Sequence, residues 1–171
     1  LCITISIIFI TWIMITFDNT NLLYIVLITS LVYIFHLNLK KNIFLGDSGS
    51  LFLGCLIGLS LIFNYNSDMS KNYFPAENIF ILFMLPGLDM LRVFAKRIIN
   101  KKNPFTPDRN HLHHLLIDKN FNRVKILIIF ILLILSPILV NLYMNIKSIY
   151  IIVFYILFYF ILIAKLKRYQ T

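Results

Sequence analysis

Two short stretches of this chain hold residue types that can do chemistry: Phe44–Ser50, FLGDSGS, and Pro86–Leu116, PGLDMLRVFAKRIINKKNPFTPDRNHLHHLL. In the first, Gly46 and Gly49 let the backbone turn tightly and approach a ligand. Ser48 or Ser50 is placed to cap a following helix, whose free N–H groups favour a nearby anion. Asp47 beside such a turn suits Mg²⁺, which takes one or two carboxylates together with substrate oxygens. A capped turn entering a membrane helix explains the same residues without a ligand.

In the second stretch, Asp89 stands three residues before Arg92. The two can form an i,i+3 ion pair at the membrane edge, or the carboxylate can meet substrate or metal. Pro86-Gly87 just before them is expected to loosen or kink a helix. The run Arg92, Lys96, Arg97, Lys101 and Lys102 is expected mostly to snorkel toward headgroups, with one or two residues left for a phosphate. Pro104 to Arg109, which includes Asp108, reads as a stiff connector because each proline biases its predecessor to extended geometry. Next come Asn110-His111-Leu112-His113-His114. If these are helical, His111 and His114 share a face and His113 points elsewhere. Such histidines can bind Zn²⁺, hold a diphosphate or move a proton, but zinc wants three or four N/S ligands and no cysteine is near. His36, alone near the end of an apolar run, reads as interfacial.

The elements that must position these residues are apolar. Of 171 residues, 60% are hydrophobic and 13% charged, with mean hydropathy +0.85. A soluble domain of this length cannot hide so much apolar surface, so the bilayer is its solvent. The runs Leu1–Phe17, Leu22–Leu37, Leu51–Phe63, Ile79–Leu91, Ile126–Tyr143 and Ile149–Ala164 read as six spans. Helices satisfy their own backbone in lipid and isolated strands do not, so the fold class is all-α, a polytopic integral membrane protein. It reads as a single transmembrane domain over 1–171, with a GDSGS loop at 38–50 and a basic HLHH loop at 92–125. Cys2 and Cys55 both fall in apolar runs, which gives no support to a disulfide framework.

Charge sets the expected orientation. One side of the six spans receives 14 of the 16 Lys and Arg residues, and the other keeps Lys71 and Lys147. The positive-inside rule makes the crowded side cytoplasmic, with both loops on it. The net charge of +9 sits between apolar spans, which favours membrane surface and anionic substrate over nucleic acid. The opening residue is Leu, with no basic region before the first span, and the chain is expected to begin in mid-protein.

FLGDSGS, followed by P-x-x-D-x-x-R-V at Pro86–Val93 and PF-x-PDR-x-HLHH-x-L at Pro104–Leu116, resembles the polyprenyl-phosphate N-acetylhexosamine-1-phosphate transferases. The likeness is close over Lys40–Leu116, and its HLHH form is similar to the GlcNAc-1-phosphate branch. It implies a multi-span enzyme of the bacterial cytoplasmic membrane, active in building an envelope glycan such as lipopolysaccharide or cell wall. Such an enzyme moves a sugar phosphate from a UDP-N-acetylhexosamine to undecaprenyl phosphate and releases UMP. By the same resemblance Asp47 is the ligand of Mg²⁺, with Mn²⁺ as a substitute, and Phe44 stacks on the uracil ring. His111, His113 and His114 line the nucleotide-diphosphate pocket, while Ser48, Asp108 and Arg109 contact substrate. Phosphoryl transfer asks for charge neutralisation and in-line positioning rather than a protein nucleophile, which agrees with these residue types.

The family also uses an Asp-Asp pair and a DGxDGL segment, and neither occurs in this chain. The chain is therefore expected to be the C-terminal portion of a longer enzyme and inactive alone; a homodimer is compatible with it. The competing readings are a non-catalytic relative and a transporter or scaffold subunit. Against a transporter, the span interiors carry almost no ionisable groups and show no paired, broken helices.

Overall fold

The computed structural model describes residues 1–17, 21–40, 43–67, 76–104, 110–144 and 146–168. Among them every regular element is an α-helix: α1 (Cys2–Thr16), α2 (Leu22–Leu39), α3 (Gly46–Ser67), α4 (Ala76–Ile99), α5 (Leu112–Asp118), α6 (Arg123–Tyr143) and α7 (Ser148–Arg168). Five of these, α2, α3, α4, α6 and α7, are long and apolar enough to cross a membrane. The remaining apolar run forms α1, whose 15 residues at ~1.5 Å each fall short of ~30 Å of hydrocarbon. Large apolar side chains such as Val26, Phe52, Phe63, Leu132 and Phe154 stand exposed on the spans, as they must where the solvent is lipid. Cys2 and Cys55 are free thiols.

The expected loops are shorter than hydropathy alone suggests. α2 continues through Leu39 and α3 opens at Gly46, so the GDSGS motif belongs to a helix's first turn rather than to a loop over 38–50. Likewise about half of 92–125 is helical among the described residues, since α4 runs on to Ile99, α5 follows, and α6 begins at Arg123. Lys and Arg are good helix formers, so a helix does not stop where its apolar residues stop. Nor do Pro86 and Gly87 interrupt α4, which is continuous through both.

The chain divides into two compact units, Leu1–Phe74 and Pro75–Thr171. In the first, α1 packs on α2 and α3. Phe9, Ile10 and Ile13 bury there with Leu31 of α2 and with Leu53, Ile57 and Leu61 of α3, which lie four apart on one face. Asn64 of α3 donates to the Tyr24 hydroxyl at 2.9 Å and to the Ser60 carbonyl at 2.7 Å, a buried polar tie between α3 and α2.

In the second unit, α4, α6 and α7 pack on one another and α5 rests on α6 and α7 through Leu112, Leu115 and Leu116. The buried stripe of α7 is Ile151, Tyr155, Tyr159 and Ile163, again four apart. Two tyrosine hydroxyls therefore point into a dry interior and need partners. Tyr155 finds one in the Leu133 carbonyl at 2.9 Å. That carbonyl is the one Pro137, inside α6, cannot serve, because proline has no N–H to give to the residue four before it.

The pairing of Tyr155 with Pro137 can be tested by a double-mutant cycle. Tyr155→Phe is expected to cost about 1 kcal/mol, because it orphans a buried carbonyl. In a Pro137→Ala background, where the alanine N–H restores the helical bond to Leu133, the same change is expected to cost close to nothing. Unfolding in detergent micelles measures both, and equal costs in the two backgrounds would refute the pairing.

Candidate functional site

The polar residues of the second unit converge on Asp89, which sits among apolar neighbours on α4. Its Oδ1 accepts from Arg92 Nη2 at 2.7 Å, from the Tyr159 hydroxyl at 2.8 Å and from the Leu112 backbone N–H at 3.0 Å. Its Oδ2 lies 2.9 Å from His111 Nδ1. The expected i,i+3 partnership with Arg92 is present and is one bond among four. Leu112 is the first residue of α5, and its N–H is among those a helix leaves unpaired. His111 precedes it in extended geometry, φ −63° and ψ 152°, and makes no side-chain cap, so a carboxylate from another helix caps α5.

Arg92 extends the cluster. Its Nε donates to the Tyr159 hydroxyl at 2.9 Å and its Nη2 to the Asn110 carbonyl at 2.6 Å, while its side chain is 7% exposed. Nη1 is buried without a hydrogen-bond partner among the described residues. Lys96, one turn on, donates to the Asn110 side-chain oxygen at 2.8 Å, and Arg97 donates to the Pro104 carbonyl. These three bases were expected mostly to snorkel; the structure turns them inward to hold the segment that leads to the histidines. The helices before and after that segment, α4 and α5, are closed by the same device. Lys102 N–H reaches the Arg97 carbonyl over Lys101 (φ 54°), and Phe121 N–H reaches the Leu116 carbonyl over Asn120 (φ 59°). Each is a left-handed residue closing a helix by the six-to-one bond usual at such ends.

The three histidines form one group. The His111 and His113 rings stack, with centroids 6.0 Å apart and planes at 17°, and His114 lies 4.1 Å from His113 at 38°. This corrects the expectation that His113 points away from the other two: His111 is the cap of α5 and not within it, so helical-face arithmetic does not apply to its side chain. Partial burial, and then the neighbouring His114 and His111, push His113 down to about 4. At neutral pH it is an uncharged hydrogen-bonding ring. Among the described residues no three His, Cys, Asp or Glu side chains could hold a metal ion, so the Zn²⁺ reading of HLHH gains no support.

In the first unit, Phe44, Asp47 and Ser48 are all exposed at the start of α3. Gly46 has φ +68°, the left-handed geometry expected of the motif's first glycine. Gly49 meets the Leu45 side chain, where an added Cβ would come within 2.8 Å of it. Of the two serines expected as caps, Ser48 and Ser50, the second does not serve: its hydroxyl donates back to the Gly46 and Asp47 carbonyls at 3.0 and 2.9 Å. Because α3 starts at Gly46, both serines already lie inside the helix. Asp47 offers one exposed carboxylate beside the free N–H groups of a helix start. That donor set fits an ion such as Mg²⁺, which takes few protein ligands and completes its shell with substrate oxygens. Asp108 and Arg109 lie outside the described residues. His36 is exposed in the last turn of α2, as an interfacial residue would be. An apolar cleft of about 400 Å³ between α6 and α7, lined by Pro137, Val140, Phe154, Tyr155 and Phe158, holds none of the motif residues.

Sequence reasoning missed Asn110 and, beyond Arg92, the partners of Asp89: Tyr159, His111 and the Leu112 N–H. Tyr159 is 70 residues from Asp89 and no local pattern links them. The one available signal was the i,i+4 tyrosine pair in an otherwise apolar helix, since a buried phenol needs a partner.

The helices and this polar cluster define a multi-pass helical membrane protein. Comparison with curated proteins finds relatives that include the following. A decaprenyl-phosphate N-acetylglucosaminephosphotransferase of Mycolicibacterium smegmatis is 31% identical over 88 residues, 46% of this chain and 21% of that protein. An undecaprenyl-phosphate alpha-N-acetylglucosaminyl 1-phosphate transferase of Haemophilus influenzae is 33% identical over 79 residues, with the same two shares, 46% and 21%. A probable undecaprenyl-phosphate N-acetylglucosaminyl 1-phosphate transferase of Bacillus subtilis is 33% identical over 110 residues, 63% of this chain and 30% of that protein. No protein-family model and no solved structure matches. Over about half of its length the chain is similar to polyprenyl-phosphate N-acetylglucosamine-1-phosphate transferases. It spans less than a third of the length of these relatives.

The depressed His113 carries a pH signature. An unfolded histidine binds its proton near 6.5, and the folded ring only near 4. Between those values the unfolded chain holds more protons, so stability is complete above about 6.5 and declines as pH falls toward 4. Thermal unfolding of wild type and His113→Gln across this window is expected to show the wild-type advantage shrinking with acidification. A pH-independent difference would refute the assignment.

Proposed function

We propose that this chain forms part of a bacterial inner-membrane transferase that moves N-acetylglucosamine-1-phosphate from a UDP-sugar to a polyprenyl phosphate such as undecaprenyl phosphate, releasing UMP. The observation that carries this reading is the match to relatives whose names specify polyprenyl-phosphate N-acetylglucosamine-phosphate transfer. The distribution of Lys and Arg between the spans supports a cytoplasmic position for both motif stretches.

Each residue has a role in this proposal. Asp47 is the Mg²⁺ ligand, and the bound ion would offset charge on the transferring diphosphate. Phe44, 76% exposed, is free to stack on a uracil face. Ser48, Asp108 and Arg109 contact substrate. His111, His113 and His114 line the nucleotide-diphosphate pocket; His113, neutral at physiological pH, contributes hydrogen bonding rather than charge. The lipid substrate reaches such groups from the membrane plane, which suits motifs placed at helix ends.

The test uses the full chain that the gene encodes, purified in detergent and given UDP-GlcNAc, undecaprenyl phosphate and Mg²⁺. UMP release that stops on chelation is expected. Asp47→Asn is expected to lower kcat by about 100-fold or more, as removal of a charge-stabilising group from a phosphoryl-transfer site does. His111→Ala is expected to lower kcat/KM. No UMP from any UDP-N-acetylhexosamine would overturn the reading, and an Asp47→Asn enzyme of wild-type activity would remove Asp47 from its role.

A further inference from the structure

We propose that Asp89 is a positioning residue for His111: it holds the imidazole as the Nδ1–H tautomer, so that Nε2 is the proton-accepting atom of the histidine group. The inference rests on the transfer reaction proposed above and goes beyond it, because it gives one histidine a chemical task and names the residue that sets it.

The tautomer follows from the donor inventory. Asp89 Oδ2 lies 2.9 Å from His111 Nδ1. An ionised carboxylate only accepts, so the hydrogen of this bond sits on Nδ1 and the neutral ring carries its lone pair on Nε2. The same carboxylate takes the Leu112 backbone N–H at 3.0 Å, which ties the ring and the start of α5 to one group. Asp89 cannot swing away, because Arg92 and Tyr159 hold its other oxygen at 2.7 and 2.8 Å. Supporting bonds of this kind fix the orientation of a working imidazole. The His111 side chain remains 33% exposed, against 12% for Asp89, so the histidine is the member that can meet a ligand.

The tautomer decides what that ligand is. A bare Nε2 does not bind a fully ionised phosphate oxygen, which is also an acceptor. It meets a group that gives up a proton, such as the singly protonated phosphate of a phosphate monoester. In that step the O–H bond breaks, an N–H bond forms at Nε2, and the phosphate oxygen keeps the electron pair, which makes it the better nucleophile. The imidazolium that results lies against the Asp89 carboxylate, whose charge stabilises it. Arg92 and Tyr159 act on this step only through Asp89.

Two measurements test the proposal on the full chain that the gene encodes. In ¹⁵N-histidine NMR, with the His111 signal assigned by its loss in His111→Gln, the neutral ring is expected to be protonated at Nδ1. Protonation at Nε2 would overturn the proposal. This arm needs no turnover, so it stands even if no UMP release is found and the transfer reaction itself falls. Asp89→Asn keeps an oxygen for Leu112 N–H and His111 but removes the charge. It is expected to lower kcat by about 100-fold or more, to leave KM for UDP-GlcNAc within about threefold, and to be partly rescued by Asp89→Glu. A folded Asp89→Asn enzyme with unchanged kcat, or a loss confined to KM, would overturn the role. Should Asp89→Asn not fold, the wild-type tautomer decides.

Discussion

A carboxylate placed inside an apolar helix bundle has to be surrounded by donors, and much of the second unit follows from meeting that condition for Asp89. Burying a lone carboxylate is costly enough that such a group is kept only where it is paired and hydrogen-bonded. Here the donors come from Arg92, Tyr159, His111 and the Leu112 backbone, that is, from α4 itself, from α7 and from α5 with its cap. Removing Asp89 would leave the buried Arg92 guanidinium without its counter-charge, the Tyr159 phenol without its acceptor, and α5 without its cap. The partners thus depend on the carboxylate as much as it depends on them, and a pair broken on one side is worse than no pair.

The arrangement also explains why the histidine segment has a defined shape. Polar backbone between spans is not shaped by the bilayer, so something must gather it. Arg92 and Lys96 do so by gripping the carbonyl and side-chain oxygens of Asn110. Both side chains thus reach from α4 to the residue just before the cap of α5. The same residue types that anchor helices at a headgroup layer are used here as inward ties, and nothing in their spacing distinguishes the two uses.

That limit marks what could be read from the sequence. The apolar runs, the helical class and the two motif stretches were legible, because period, composition and charge asymmetry are local. The left-handed Gly46 was legible too, from the motif's chemistry. Helix ends were not, because hydropathy falls at Leu51 and Leu91 while backbone hydrogen bonding begins at Gly46 and continues to Ile99. The orientation of His113 is not legible from helical periodicity, because His111 is an extended cap whose ring joins the stack. The Tyr159 contact needs the packing of α4 against α7, which only the folded chain supplies.

Asn141 shows that the same logic runs along the length of the unit: it joins Asn78 of α4 at 2.7 Å and accepts from Ser148 at the start of α7 at 3.0 Å. Together with the two tyrosines, these bonds fix the register of α7. Tyr155 answers a carbonyl freed by Pro137, and Tyr159, one turn on, answers Asp89. A slip of α7 by one turn, ~6 Å for four residues, would bring Ile151 or Ile163 against a polar partner and strand a phenol in an apolar interior. Apolar packing along a stripe of Ile and Tyr tolerates such a slip; the polar bonds do not. The proline in α6, which looks like a defect in a spanning helix, thereby helps to determine where α7 stops, and through Tyr159 where Asp89 and the first histidine are held.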